Sequence, residues 1–280
     1  VGTGSASSNI TISNNVIYGV TGDNYSSFGS SSSMGISIGI IGNSSTLTTT
    51  TGGVNIYYNS INMYGTYNRA TACITTALYI GSGASALNIQ NNILANSMDN
   101  LGTASKSYSI YSAAANTAFT NINYNDYYSS GNEGVLGYLT SDRTLLSDWQ
   151  SASGGDVNSL STNPMYNSDV ALKPQTGAPV LAAGTPIAGI TTDILGVTRS
   201  GTVPSMGAYE QGGDATGPVI EYTALGNTSQ TSDRTLTATI TDFSGVPVAG
   251  DGLPRRYWKI NSGSYTSVQG VSIGSNQYTF

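Results

Sequence analysis

Four stretches of the chain alternate apolar and polar residues and meet an asparagine at the same offset. They are Ile10-Thr11-Ile12-Ser13-Asn14-Asn15, Val54-Asn55-Ile56-Tyr57-Tyr58-Asn59, Leu87-Asn88-Ile89-Gln90-Asn91-Asn92 and Thr120-Asn121-Ile122-Asn123-Tyr124-Asn125. Aligning Ile12, Ile56, Ile89 and Ile122 gives spacings of 44, 33 and 33 residues. Self-similarity at such a period predicts a solenoid. The alternation predicts a strand with one buried face in each copy. Asparagine tolerates the left-handed backbone region, so it suits the sharp turn that ends the strand. If successive copies stack as parallel strands roughly 4.8 Å apart, the isoleucines pile into a core. Asn15, Asn59, Asn92 and Asn125 then form an internal ladder, each amide bonding the next. The expected fold is all-β: a right-handed parallel β-helix. A β-sandwich of short strands is the alternative, but its strands need not recur with an Asn at a fixed offset.

Second strand-like segments lie in three of the gaps, at Gly35–Ile40, Ala77–Gly81 and Tyr108–Tyr111. Each coil is therefore expected to carry at least two strands. The Ser/Thr/Gly stretches Ser26–Ser33 and Ser44–Gly53 read as loops leaving the coil. Near residue 140 the texture changes. Leu136–Thr140 still reads as strand, whereas Asp142–Gln150 reads as a short amphipathic helix capped by Ser141 or Asp142. Residues 1–211 form the expected β-helix with its closing region, and 212–218 is a linker by composition. Beyond it, Val219–Tyr222, Thr235–Asp242, Tyr257–Asn261 and Gln277–Phe280 alternate cleanly, with turns at Asn261-Ser262-Gly263 and Gly274-Ser275-Asn276. That pattern predicts an antiparallel sandwich over 219–280.

Composition narrows the function classes. Only 9% of the 280 residues are charged, so solubility rests on Ser, Thr, Asn and Gly. Nineteen tyrosines against four phenylalanines fit a strand-rich protein with amphipathic aromatics at its surface. A net charge of −6 argues against nucleic acid or an anionic membrane as partner. No histidine is present, which removes Ser-His-Asp and Cys-His catalysis and the usual transition-metal ligand. The single cysteine, Cys73, reads as a small buried packer and permits no disulfide framework within the chain. No apolar run approaches the ~18 residues of a membrane helix.

Residues 140–211 carry a recognisable ending. Asn163-Pro164, Ala182-Ala183-Gly184, Asp193-Ile194-Leu195-Gly196-Val197-Thr198-Arg199 and Gly207-Ala208-Tyr209-Glu210 follow one another in order. This run resembles the C-terminal end of secreted bacterial β-helix proteins of the pectate-lyase-like superfamily. It departs from that pattern at Leu195 and Met206, where Asp and Ile are expected. Asp193, Arg199 and Glu210 take structural roles, with Glu210 or Asp193 the partner for a bidentate Arg199. Residues 214–218, the Leu236–Asp242 strand and Tyr257-Trp258-Lys259-Ile260 resemble immunoglobulin-like modules of large Bacteroidetes surface proteins. That resemblance implies a type IX secretion substrate at the surface of a Gram-negative cell, with secretion machinery as a transient partner. Val1 begins in mid-pattern and the module stops at Phe280 in mid-strand, so a longer exported parent chain is expected.

Candidate chemistry is sparse. β-Helix lyases use clustered carboxylates around Ca²⁺ with a Lys or Arg base; the candidates are Asp99, Asp126, Arg69 and Lys106. A hydrolase needs two carboxylates on one face within roughly 5–10 Å, and the 27-residue spacing of Asp99 and Asp126 is close to one coil. Turn residues in loops are the plainer reading of all four. Asp214 and Asp242 are weak Ca²⁺ candidates at a module junction; no other metal and no organic cofactor is expected. Tyr57, Tyr64, Tyr67 and Tyr127 are candidates to stack on sugar rings, although aromatic ladders also stabilise solenoids without a ligand. Three functions follow: a non-enzymatic surface or adhesion segment meeting glycans or other cell-surface components, a polysaccharide lyase or glycoside hydrolase, or cargo or a subunit of a secretion or gliding-motility assembly.

Overall fold

The structure is a computed structural model. It describes residues 1–20, 31–39, 49–67, 73–100, 102, 104–211, 218–242 and 245–280. The chain divides into two compact units, Val1–Gly213 and Asp214–Phe280. It is mostly β, with parallel sheets in the first unit and antiparallel sheets in the second.

The first unit is built pass by pass. Pass one holds β1 (Ile10–Ser13), β2 (Val16–Tyr18) and β3 (Ser31–Ile38). Pass two holds β4 (Thr51–Tyr57), β5 (Ser60–Met63), β6 (Thr66–Tyr67) and β7 (Ile74–Ile80). Pass three holds β8 (Ala84–Gln90), β9 (Ile93–Asn96), β10 (Asp99–Asn100) and β11 (Lys106–Ser112). Pass four holds β12 (Phe119–Asn123), β13 (Asp126–Ser129) and β14 (Gly134–Leu139), and β15 (Ser141–Arg143) then turns back antiparallel on β14. Equivalent strands of successive passes lie side by side, in the orders β1-β4-β8-β12, β2-β5-β9-β13 and β3-β7-β11-β14. Each pass therefore feeds three parallel sheets. Residues 31–33 and 51–53, expected in loops, lie within β3 and β4. The remainder of those two stretches, apart from Thr49 and Thr50, lies outside the described residues.

Register fixes the core. Ile12 pairs with Ile56, Ile56 with Ile89, and Ile89 with Ile122. A second row runs Ile17, Ile61, Leu94, Tyr127 and a third runs Ile36, Leu78, Ile110, Gly137. Most of these side chains are fully buried in one apolar cluster that also includes Cys73. Each fully buried aliphatic contributes roughly 1.5–3 kcal/mol against exposure. The third row ends at a glycine for a steric reason. A Cβ on Gly137 would lie 2.8 Å from Cε3 of Trp149, whose indole fills the space above it.

Trp149 arrives on α1 (Leu146–Ser153), which starts later than its sequence suggests. Its N-cap is Leu145 rather than Ser141 or Asp142, and no side chain caps it. Residues 141–143 are instead taken by the β14–β15 hairpin, and the Asp142 carboxylate is engaged by Lys106 and Tyr108. Gly154, at φ 74°, ends the helix in the left-handed conformation that glycine accepts cheaply.

The turn between the first two sheets corrects another expectation. The left-handed residue is not the ladder asparagine but the one before it: Asn14, Tyr58, Asn91 and Tyr124, at φ 56°, 55°, 60° and 56°. Two of the four are tyrosines, which pay on the order of 1 kcal/mol for that geometry. At Tyr58 tertiary contacts offset it: the buried hydroxyl donates to the Thr185 carbonyl at 2.7 Å and Arg199 lies 3.8 Å over the ring.

The second unit contains β16 (Val219–Tyr222), β17 (Thr237–Thr241), β18 (Arg255–Trp258), β19 (Thr266–Gln269), β20 (Val271–Gly274) and β21 (Gln277–Thr279). One antiparallel sheet runs β16-β17-β21-β20, and β18 pairs with β19. Ala238, Ile240 and Tyr278 form its small core.

Candidate functional site

The four asparagines converge on the turns that join the sheet β1-β4-β8-β12 to the sheet β2-β5-β9-β13. Nδ2 of Asn15 donates to Oδ1 of Asn59 at 2.8 Å, Asn59 to Asn92 at 2.9 Å, and Asn92 to Asn125 at 3.0 Å. Each receiving Oδ1 also accepts the backbone N–H of the preceding rung. The second amide proton of each inner rung goes to a strand carbonyl: Ile12, Ile56 and Ile89. Buried amides are thereby satisfied without water, which is what makes a polar row tolerable inside an apolar stack.

The ladder ends on a residue that the repeat pattern did not flag. Asp156 is fully buried and accepts from Asn125 Nδ2 at 3.3 Å, Tyr127 Oη at 3.0 Å, Trp149 Nε1 at 2.7 Å and Ser159 Oγ. Burial raises its pKa despite these donors. Ser159 Oγ accepts the Asn125 N–H, standing where a fifth asparagine would stand. The available signal was spacing, since Ser159 follows Asn125 by 34 residues.

Tyr127 is therefore not a surface stacker. It is wholly buried in the Ile17–Ile61–Leu94 row, and its hydroxyl is spent on Asp156. Tyr57 is half-buried and bonds the Asn55 amide oxygen at 3.3 Å. Tyr64 is half-buried, and the side chain of Tyr67 lies outside the described residues. A different set of rings is stacked on the outer face of β7, β11 and β14. Tyr79 and Tyr111 are 5.4 Å apart and 6° from parallel; Tyr111 and Tyr138 are 4.3 Å apart and 4° from parallel. Tyr108 meets both Tyr111 and Tyr138 edge-on. Burial and the neighbouring phenols push Tyr111 up to about 12. Register marks this stack, because Tyr79, Tyr111 and Tyr138 are consecutive Cα partners.

Among the described residues, the catalytic candidates do not assemble. Asp126 is fully buried and pairs with Ile93, six positions before Asp99 on the neighbouring pass. Its Oδ1 accepts Thr162 N–H at 2.9 Å and Thr162 Oγ1 at 3.2 Å; Oδ2 is buried without a hydrogen-bond partner. Burial raises its pKa to about 7. Asp99 sits half-buried in β10 beside β6. Lys106 is ion-paired with Asp142, which also accepts the Tyr108 hydroxyl at 2.8 Å. Arg69 and Asp214 lie outside the described residues. Asp242 follows β17, in the second unit. Among the described residues, no group of three or more His, Cys, Asp or Glu is placed to hold a metal ion. No described helix is long and apolar enough to cross a membrane.

Asp193, Arg199 and Glu210 build the closing region. Arg199 Nη1 lies 3.2 Å from Glu210 Oε2, and Nη2 donates to Gly207 O and Asn14 Oδ1. Asp193 accepts the N–H groups of Leu195, Val197 and Glu210.

Two outward grooves accompany this framework. One, of about 570 Å³, is lined by Thr11, Asn55, Tyr57, Gln90 and residues 185–190. Thr11 and Asn55 of its lining belong to an outer polar row, with Asn88 Nδ2 donating to Asn55 Oδ1 at 2.8 Å and Asn55 Nδ2 to Thr11 Oγ1 at 3.3 Å. The other, also about 570 Å³, lies against β5, β9 and β13 under residues 163–175. Comparison of the chain with protein-family models, curated proteins and solved structures finds no match in any of the three.

Proposed function

We propose that Val1–Gly213 is a right-handed parallel β-helix and that the second unit is an immunoglobulin-like sandwich. Parallel crossovers are right-handed in about 98% of cases, which supports the hand. The function we infer is non-enzymatic: a rigid segment of a secreted cell-surface protein, exported through the type IX system, that displays polar faces to glycans or other surfaces. One observation carries this reading. Two of the four acid–base candidates are taken up by the framework, Asp126 in the buried interior and Lys106 on Asp142, while amides, hydroxyls and phenols face outward in register. The row Thr11, Asn55, Asn88 with Tyr57 is the plainest example.

The test is to incubate the purified protein, with Ca²⁺, against acidic and neutral polysaccharides. Retention and new chain ends are followed together. Retention without new ends is expected; new ends on any polymer sink the non-enzymatic reading.

A further inference from the structure

Strand alternation sorts the sheet β2-β5-β9-β13 into two faces. Ile17, Ile61, Leu94 and Tyr127 point into the core. Their neighbours point out in two rows. Val16, Ser60, Ile93 and Asp126 are level with one another, and the last three lie beneath or beside the closing region. Tyr18, Asn62, Ala95 and Tyr128 form the second row. In that row Asn62, Ala95 and Tyr128 floor the second groove, and Tyr18, 46% exposed, stands level with Asn62 on the preceding pass. At roughly 4.8 Å per pass, the two tyrosines stand about 14 Å apart.

The groove wall is held in place. Asn62 Nδ2 donates to Asp169 O at 3.1 Å and to its Oδ1 at 3.4 Å. Gln175 contributes its N–H to Met165 O at 2.8 Å and its Nε2 to Tyr166 O at 3.1 Å. Asn163 Oδ1 accepts the Met165 N–H at 2.8 Å. Met165 itself sits at φ 50°, a left-handed conformation that a long side chain takes only where the surroundings impose it. Small Ala95 leaves room between an amide on one side and a phenol ring on the other.

We propose that this groove binds a linear, uncharged glycan along the row from Tyr128 toward Tyr18. The proposal rests on the display reading above and names its ligand class. A ring face packs on sugar C–H groups, and a few fixed amides and hydroxyls orient the hydroxyls of the ligand. Charge excludes the acidic polymers. The lining holds one carboxylate, Asp169, and neither Lys nor Arg. A uronate or sulfated chain would meet that carboxylate with no cation opposite, on a protein of net charge −6.

The experiment titrates the intact protein with gluco-, manno- and N-acetylglucosamine oligosaccharides, and separately with polygalacturonate and a sulfated polysaccharide. Binding to at least one neutral oligosaccharide and to neither polyanion is expected. Tyr128→Ala weakens it by about tenfold, while Tyr128→Phe keeps the ring and the affinity. Ala95→Leu, which fills the floor, weakens it as well; Leu145→Ala, at a position 61% exposed and in neither groove, does not. Unchanged thermal midpoints separate lost binding from lost folding, and Ala95→Leu stands in if Tyr128→Ala is unstable. Equal affinity in Tyr128→Ala and Ala95→Leu, loss through Leu145→Ala instead, or preference for a polyanion overturns the groove and leaves the display reading standing. No binding to any of these polymers overturns the groove and glycan display together. New chain ends overturn the display reading, whatever Tyr128 does.

Discussion

The indole N–H of Trp149 donates to Asp156 Oδ2 at 2.7 Å, which ties the only α-helix among the described residues to the end of the asparagine ladder. The same carboxylate takes Tyr127 from the core and Asn125 from the last rung. Helix, core and ladder therefore meet on one buried acid. Asp156→Ala leaves four donors without their acceptor in a dry interior. Each unsatisfied group costs about 1–3 kcal/mol, and neighbouring losses are not additive. Chemical unfolding followed by circular dichroism is expected to show a loss of about 3–5 kcal/mol, against about 1–2 kcal/mol for Trp149→Phe. Equal losses would mean that the carboxylate is no junction.

The ladder has a dry middle and a wet end. Asn92 is fully buried, whereas Asn15 is exposed. Asn92→Ala breaks bonds to Asn59, Asn125, Ile56 and Gln90 at once. Its cost is expected at about 2–4 kcal/mol, and that of Asn15→Ala below about 1 kcal/mol, because water replaces the lost partners there. Denaturant midpoints of the two variants check the order.

Asp126 gives the fold a pH dependence. Its carboxyl ionises at about 7 in the fold and near 3.8 in the unfolded chain, with burial as the cause. Between those values the unfolded state releases a proton that the folded state keeps. This carboxyl's contribution to stability is intact below pH 3.8 and falls as pH rises toward 7, by at most about 1.4 kcal/mol per unit. Asp156 shifts in the same direction, so the comparison with Asp126→Asn isolates the effect. The variant gains on the wild type from pH 4 to pH 7, and parallel curves would exclude it.

Gly137 is a packing position. A methyl group there would meet Trp149 at 2.8 Å and Ile110 Cγ2 at 3.1 Å. Gly137→Ala is expected to cost about 1–3 kcal/mol, as overpacking does. A shift of Trp149 fluorescence to longer wavelength reports the displaced indole.

Lys106 distinguishes the two functional readings. The Lys106–Asp142 pair is partly exposed, with side-chain exposures of 42% and 30%, so Lys106→Met is expected to change stability by less than about 1 kcal/mol. Glycan retention is expected to stay the same. If the wild type cut a polysaccharide and the variant did not, Lys106 would be the base of a lyase.

The repeat was legible because two constraints of different kind share one period. Ile12, Ile56, Ile89 and Ile122 must face the core, and Asn15, Asn59, Asn92 and Asn125 must bond one another. Facing was harder to read where polar and aromatic residues mix. Tyr127 and Tyr128 are adjacent and point to opposite sides, and local composition does not say which is which. Alignment of Tyr127 with Ile17, Ile61 and Leu94 does. The amphipathic fragment 142–150 predicts a helix start at Asp142. The hairpin onto β14 and the tertiary partners Lys106 and Tyr108 override that local preference. Asp156 carries no local sign of its role, since its four donors come from β13, α1, the turn before β13 and a loop.

The first interval between rungs is 44 residues and the next two are 33, yet Ile12 meets Ile56 as squarely as Ile56 meets Ile89. By loop-closure arithmetic the additional chain costs only a few tenths of a kcal/mol. The register of the parallel sheets is thus indifferent to how many residues separate equivalent strands, and a longer interval between two rungs would leave both rungs level with their neighbours.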